Sequence, residues 1–271
     1  MFKSTRMLAE AGIMVGLSLA LWYLNLGQLP QGGSISLQML PLFVFSLRWG
    51  AGPGIVVGVA YGLLHSMQDM FVVHPLQYLL DYPIAFGLIG LSGLVRNLKI
   101  TKTVSVLLAI IVLFGGIALQ RYTVSNVQEI NKQTAVLQEG MASGTATAGQ
   151  IQEMKSQIAD LNAKSRLFAV GGYVVLISSL LAFVAILYGT WKRTYSTPVE
   201  FAVLIGGLGR FVSHLLSGYI FFGQYVPQGM NPWVYSMVYN FLVVAPSTLL
   251  SLAVILMIWP SLEKASHANV N

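Results

Sequence analysis

Cysteine is absent from the 271-residue chain, which removes disulfides, thiolate nucleophiles and cysteine metal sites together. Charge is nearly as scarce. Charged side chains make up 9% of the residues, against about 25% in soluble domains, so an ordinary water-soluble globule is excluded. The phosphate-loop pattern Gly-x-x-x-x-Gly-Lys is missing, as is any Gly-Lys dipeptide, which excludes ATP hydrolysis by that device. His65, His74, His214 and His267 form no helix-spaced pair, so zinc is poorly supported. No serine lies in Gly-x-Ser-x-Gly, and no Ser/His/Asp set follows from spacing. The chain reads as no enzyme, with no cofactor and no metal.

What is present is apolar. Hydrophobic residues make up 55% of the chain, and a membrane-crossing helix needs roughly 20 mostly apolar residues. Apolar runs broken by polar or Gly/Pro residues give eight helices, at about 7–26, 36–49, 53–69, 75–96, 103–121, 167–190, 198–222 and 232–259. The second and third are short, with a tight break at Arg48, Trp49, Gly50, Gly52, Pro53 and Gly54. Lys3 and Arg6 precede an apolar stretch that contains Glu10 and has no small-residue cleavage pattern before Gln28. That stretch reads as a retained first helix, not a removed signal.

The net charge of +6 reports orientation, not nucleic-acid binding. With the N-terminus inside, alternation places Lys3, Arg6, Arg48, Arg96, Lys99, Lys102, Lys192, Arg193 and Lys264 on the cytoplasmic side. The short outer loops at 27–35, 70–74 and 223–231 then hold no Lys or Arg. Trp49, Trp191 and Trp259 fall at inner ends, Trp22 and Trp233 at outer ones, as aromatic belts require. The expectation is a multi-pass plasma-membrane protein with both termini cytoplasmic.

Residues 122–166 differ in composition, being rich in Gln, Asn, Ser, Thr, Ala and charges, with a small-residue centre from Gly140 to Gly149. Val127, Ile130, Thr134, Leu137 and Met141 recur at steps of three and four, as do Ile151, Met154, Ile158 and Leu161. This spacing predicts an outer helical hairpin whose arms continue the flanking spans. The block 98–197 then reads as an inserted transmembrane pair, between the first four core helices in 1–97 and the last two in 198–271. Its distance in sequence from the polar groups below predicts that it is dispensable for binding.

Ionisable residues inside spans are costly and mark a ligand or ion site by default. Asp81 stands in the outer part of the fourth helix, beside Tyr82 and one turn after Gln77. Arg210 and His214 lie four apart, with Gly218 and Phe222 continuing their stripe outward. The last helix brings Trp233, Tyr235, Tyr239 and Asn240 in its outer half. A carboxylate, several ring faces and an amide suit a small cation or a polar aromatic ligand. Blander readings stay open: Asp81 neutralising Arg210, His214 bridging two helices, Trp233 and Tyr235 as interface anchors. Two small-residue stripes permit close helix approach, Gly54, Gly58 and Gly62 within the bundle, and Gly12, Gly16 and Ala20 toward another membrane subunit.

The stretch Gln31-Gly32-Gly33-Ser34-Ile35-Ser36, Pro41 and Ser46-Leu47-Arg48-Trp49-Gly50 resembles the thiamine-specific substrate-binding (S) components of energy-coupling-factor (ECF) transporters. The resemblance continues in His74-Pro75-Leu76-Gln77, Leu80-Asp81-Tyr82 and Ala85-Phe86. It resumes in Arg210-Phe211, His214, Ser217-Gly218, Phe221-Phe222-Gly223, Pro227, Gly229, Trp233-Val234-Tyr235-Ser236 and Asn240. These motifs cover about 1–97 and 198–262. The resemblance implies an all-α integral membrane protein, a six-helix S-component core to which the inserted pair and its extracellular hairpin bring the total to eight spans. It implies thiamine binding from outside and, as partners in the bilayer, a transmembrane coupling subunit and two cytoplasmic ATPases. Ligand roles implied by the family fall on Asp81, Tyr82, His214, Gly218, Tyr235 and Asn240. An aromatic and an acid that some members carry in the first outer loop fall on Gly32 and Ser36 here, and a Trp of other members falls on Phe222. A receptor whose outer hairpin reads a signal and a stand-alone secondary transporter are the competing functions. Short inner loops disfavour the first, and the lack of an internal repeat disfavours the second.

Overall fold

Ser4 opens the first helix, α1 (Thr5–Tyr23), its hydroxyl accepting from the Met7 amide, which satisfies one of the donors a helix start leaves unpaired. The computed structural model describes residues 4–28, 33–144, 146–191, 197–226 and 231–268. Lys3, Gln31, Gly32, Lys192, Arg193, Pro227 and Gly229 lie outside the described residues. After α1 comes a ribbon that periodicity did not announce: β1 (Gly27–Gln28) pairs antiparallel with β2 (Ser34–Ile35). The Ser36 amide then donates to Ser247 Oγ at 3.3 Å, fastening this first outer loop to the last helix.

α2 (Leu40–Trp49) and α3 (Ala51–His65) meet at Gly50, whose φ of +91° is costly for any residue with a Cβ. Arg96 closes the joint by donating from Nη1 to the Arg48 carbonyl at 2.9 Å. The next segment, α4, spans 75–94 and is irregular: an α turn at Pro75–Leu79, a π turn at Leu80–Ile84, an α turn at Ala85–Leu88 and a 3₁₀ stretch at Ile89–Leu94. Pro83 sits inside the π turn. With no amide hydrogen to give, it breaks the regular ladder there and widens the coil around Asp81 and Tyr82.

α3 lies on α4 through its glycine stripe. A Cβ at Gly58 would collide with the Phe86 carbonyl, and one at Gly62 with that of Tyr82 at 2.5 Å. Backbone cannot move aside as a flexible side chain can. Gly58→Val should therefore destabilise the protein by about 2 kcal/mol or more, read as a lower thermal midpoint in detergent; an unchanged midpoint would show that α3 and α4 can separate at no cost.

The long helices are α5 (Lys102–Ala142), α6 (Ala148–Trp191), α7 (Val199–Phe221) and α8 (Pro232–Ala268). Helix thus occupies all eight intervals expected from the sequence. Five described helices are long and apolar enough to cross a membrane, and two shorter apolar ones, α2 and α3, accompany them. At 1.5 Å per residue α5 and α6 are each more than about 60 Å long, twice the roughly 30 Å of a hydrocarbon core. They pair along their length and turn at Gly144, which has a φ of +72°.

The arms are packed into the bundle, not set apart from it. Ala109, Ala182 and Ile186 belong to the same core cluster as Phe43, Tyr61, Phe86 and Leu252. Ser105 donates to the buried Glu200 carboxylate at the start of α7. A second, smaller cluster joins Phe168 and Val175 of α6 to Val238 and Leu242 of α8.

Candidate functional site

Asp81 projects from the π turn into a cavity bounded by α3, α4, α7, α8 and the first outer loop. Its carboxylate is held by three donors. Oδ2 accepts from Gln77 Nε2 at 2.6 Å and from Ser217 Oγ at 2.8 Å, while Oδ1 faces His214 Nδ1 at 2.9 Å. Arg210 Nε donates to His214 Nε2 at 3.2 Å. A guanidinium only donates, so Nε2 carries the lone pair and the ring proton sits on Nδ1, directed at Asp81. The direct Asp81–Arg210 pair left open by the sequence is not among the ion pairs of the described residues. The imidazole stands between them, and the guanidinium instead lies over the Phe86 ring, 4.4 Å from its centroid.

Gln77 and Tyr82 do more than line the cavity. Gln77 receives the Val73 amide at 3.1 Å and donates to the Phe71 carbonyl at 3.1 Å. Tyr82 donates to the Asp69 carbonyl at 2.6 Å and accepts the Phe71 amide at 2.9 Å. Together they fold the 69–73 loop over the opening, which brings Asp69 and Phe71 into the lining. Phe71 then stacks on Phe222, ring centres 5.9 Å apart.

α8 supplies the opposite wall. Tyr235 and Tyr239 stand one turn apart with rings stacked at 6.1 Å. Asn240 Nδ2 bonds the His214 carbonyl at 3.1 Å and the Ser236 carbonyl at 2.9 Å, so the amide oxygen is the atom it can offer a guest. Gly218 makes this approach possible, because a Cβ there would lie 2.9 Å from Asn240 Nδ2 and collide with Ser236 Oγ. Trp233 is outside the lining and stacks on Tyr219 at 3.9 Å, half-exposed, as an interface anchor does.

Of the residues singled out from sequence, Asp81, Tyr82, Gln77, His214, Gly218, Phe222, Tyr235 and Asn240 all line this one cavity. Ser36 does not. It is buried beside Ser247, and its hydroxyl accepts the Gln38 amide at 3.5 Å. Ser34 and Gln38 line the cavity, and between them the chain leaves β2 at Ile35 and bends toward α2, which places Ser36 in the packing. Sequence reading missed Gln38, His65 and Asp69. Gln38 Oε1 accepts from Tyr61, whose ring stacks on His65; their one signal was polarity within or beside apolar runs. Gly12, Gly16 and Ala20 are exposed along α1, and a Cβ at either glycine would meet nothing within 4 Å.

The arrangement joins the Asp81 carboxylate, ring faces on two sides and an amide oxygen. Such a set favours a cation bearing an aromatic ring with hydrogen-bonding edges.

A family model described as "Thiamine transporter protein" matches residues 8–128 and 141–267, which includes most of both hairpin arms. The chain is 25% identical over 248 residues to the thiamine transporter ThiT of Bacillus subtilis (strain 168), covering 89% of this chain and 83% of that protein. It is 22% identical over 257 residues to the thiamine transporter ThiT of Lacticaseibacillus paracasei, covering 93% and 86%. A solved structure of ThiT from Listeria monocytogenes superposes with a TM-score of 0.52 at 20% identity, covering 95% of both chains. That likeness is one of fold.

Proposed function

The chain belongs to the thiamine transporter protein family, and from that premise we propose that it captures thiamine from outside the cell as the substrate-binding subunit of an ATP-driven ECF transporter. Members of the family are binding and transport proteins, not enzymes, and this one is a multi-pass membrane protein. The observation that carries the ligand reading is the Asp81 carboxylate, hydrogen-bonded by Gln77, Ser217 and His214 at a cavity with aromatic walls. Thiamine has a permanently cationic thiazolium and a neutral aminopyrimidine. Asp81 is the counter-charge for the first. Phe222, Tyr235 and Tyr239 give ring faces, and the Asn240 oxygen suits an exocyclic amine.

The energy source is proposed to lie in partners, since the sequence has no phosphate loop. The two cytoplasmic ATPases would act through a transmembrane coupling subunit seated on the open Gly12, Gly16 and Ala20 face. Eight crossings with both termini cytoplasmic, six of them the core and two bearing the outer hairpin, is the topology that the Lys and Arg distribution supports.

Titrating thiamine into the purified protein should quench the intrinsic fluorescence of its Trp residues and saturate at one ligand per chain. Riboflavin and biotin, which lack a fixed positive charge, should leave the signal unchanged. Saturation by either of them and not by thiamine would reject the reading.

A further inference from the structure

The α5–α6 hairpin takes no part in the proposal above, yet its α6 arm lies against the helix that carries half of the cavity wall. Phe168 and Val175 are buried against Val238 and Leu242. Gly171 comes so close to Leu242 that a Cβ there would meet Cδ1 at 2.9 Å. At 3.6 residues per turn the Val238 and Leu242 stripe is rotated by roughly 60° from the Tyr235 and Tyr239 stripe. The two stripes share one rigid segment, so a shift at one moves the other.

α8 is held from its other side by α7, where Ser236 Oγ donates to the Leu215 carbonyl at 2.9 Å and Asn240 to that of His214. These bonds, with the Phe211–Phe241 and Tyr219–Trp233 ring contacts, hold one side of α8 on α7, and the apolar contact with α6 holds another. Through Phe168, Gly171 and Val175 the α6 arm thus lies along the segment of α8 that bears the cavity-lining Tyr235, Tyr239 and Asn240.

We infer that the hairpin is a brace, whose α6 arm clamps the outer half of α8 against α7 and thereby sets where Tyr235, Tyr239 and Asn240 stand in the cavity. The inference rests on that cavity being the ligand site, and it reverses the expectation of dispensability drawn from sequence separation. Gly171, Phe168 and Val175 are then positioning residues that touch no ligand.

The test overpacks the contact. Gly171→Leu should lower thiamine affinity about tenfold through a faster off-rate. Leu242→Ala in the same chain makes room for the new side chain and should restore most of the loss, which a general loss of stability would not do. The natural absence of cysteine allows spin labels at Leu216→Cys and Met237→Cys, exposed positions on α7 and α8. The interlabel distance should lengthen or broaden in Gly171→Leu and return with Leu242→Ala. That measurement needs no ligand, so it decides the brace even if thiamine fails to bind the unaltered protein. Should Gly171→Leu not fold, Phe168→Ala loosens the same contact without a clash and should broaden the distance. A folded Gly171→Leu or Phe168→Ala protein with unchanged distance would overturn the inference.

Discussion

Asp81→Asn should lower thiamine affinity by about 30-fold or more, the equivalent of roughly 2 kcal/mol for removing the charge from a buried charged partnership. Asn preserves the shape of the side chain. Its oxygen can still accept from His214 or Ser217, but its amide hydrogens then confront the Gln77 donor that Asp81 satisfies at 2.6 Å. More important is the missing counter-charge, since a unit charge pair at about 4 Å is worth several-fold more in a protein interior than in water. Glu129→Gln, on an exposed part of the α5 arm, should leave affinity unchanged, because solvent and salt screen that carboxylate. Calorimetric titration of both variants separates the cases. Equal affinities would reassign Asp81 to holding α4 and α7 together through Ser217 and His214.

Gly16→Leu is expected to abolish thiamine uptake by cells while leaving binding to the purified protein intact. Gly12 and Gly16 face open space within the chain, so bulk there disturbs no internal contact. It would instead hold α1 away from a partner helix that needs close approach. Cells expressing the variant together with the coupling subunit and ATPases should retain membrane-localised binding without accumulation of labelled vitamin. Uptake at the unaltered rate would move the coupling contact to another face.

The anchoring of α1 bears on this second expectation. Glu10 accepts from Trp49 Nε1 at 2.7 Å and pairs with Arg48 Nη2 at 3.3 Å and Arg6 Nε at 3.3 Å. That cluster ties α1 to α2 at one end. Leu8, Ile13 and Leu17 remain exposed, which suits a helix seated in lipid or against another subunit.

The helices themselves were determined by the sequence. Scarce charge and long apolar runs left no other way to satisfy the backbone in a bilayer, and helix occupies all eight expected intervals, with α5 and α6 running on through most of the polar 122–166 segment. The residues of the cavity were legible for the same reason: Asp81, His214 and Asn240 are expensive inside apolar helices and therefore conspicuous. Tertiary structure alone decided which of these groups touch. The relay from Arg210 through His214 to Asp81 joins α7 to α4 across 133 positions of sequence, and helical spacing carries no information about contacts between helices. The π turn at Leu80–Ile84 likewise depends on how Pro83 is accommodated by packing against α3. Ser36 illustrates the limit most simply: it follows the last ribbon residue, Ile35, where the chain bends toward α2, and its amide is captured by Ser247 of α8, 211 positions away. Strand alternation alone would put Ser34 and Ser36 on one face, yet Ser34 and Gln38 line the cavity while Ser36 is buried in the packing. The hairpin shows the converse: remote in sequence from the site, it lies against the site's own helix, since packing brings side chains together by shape and not by their order in the chain.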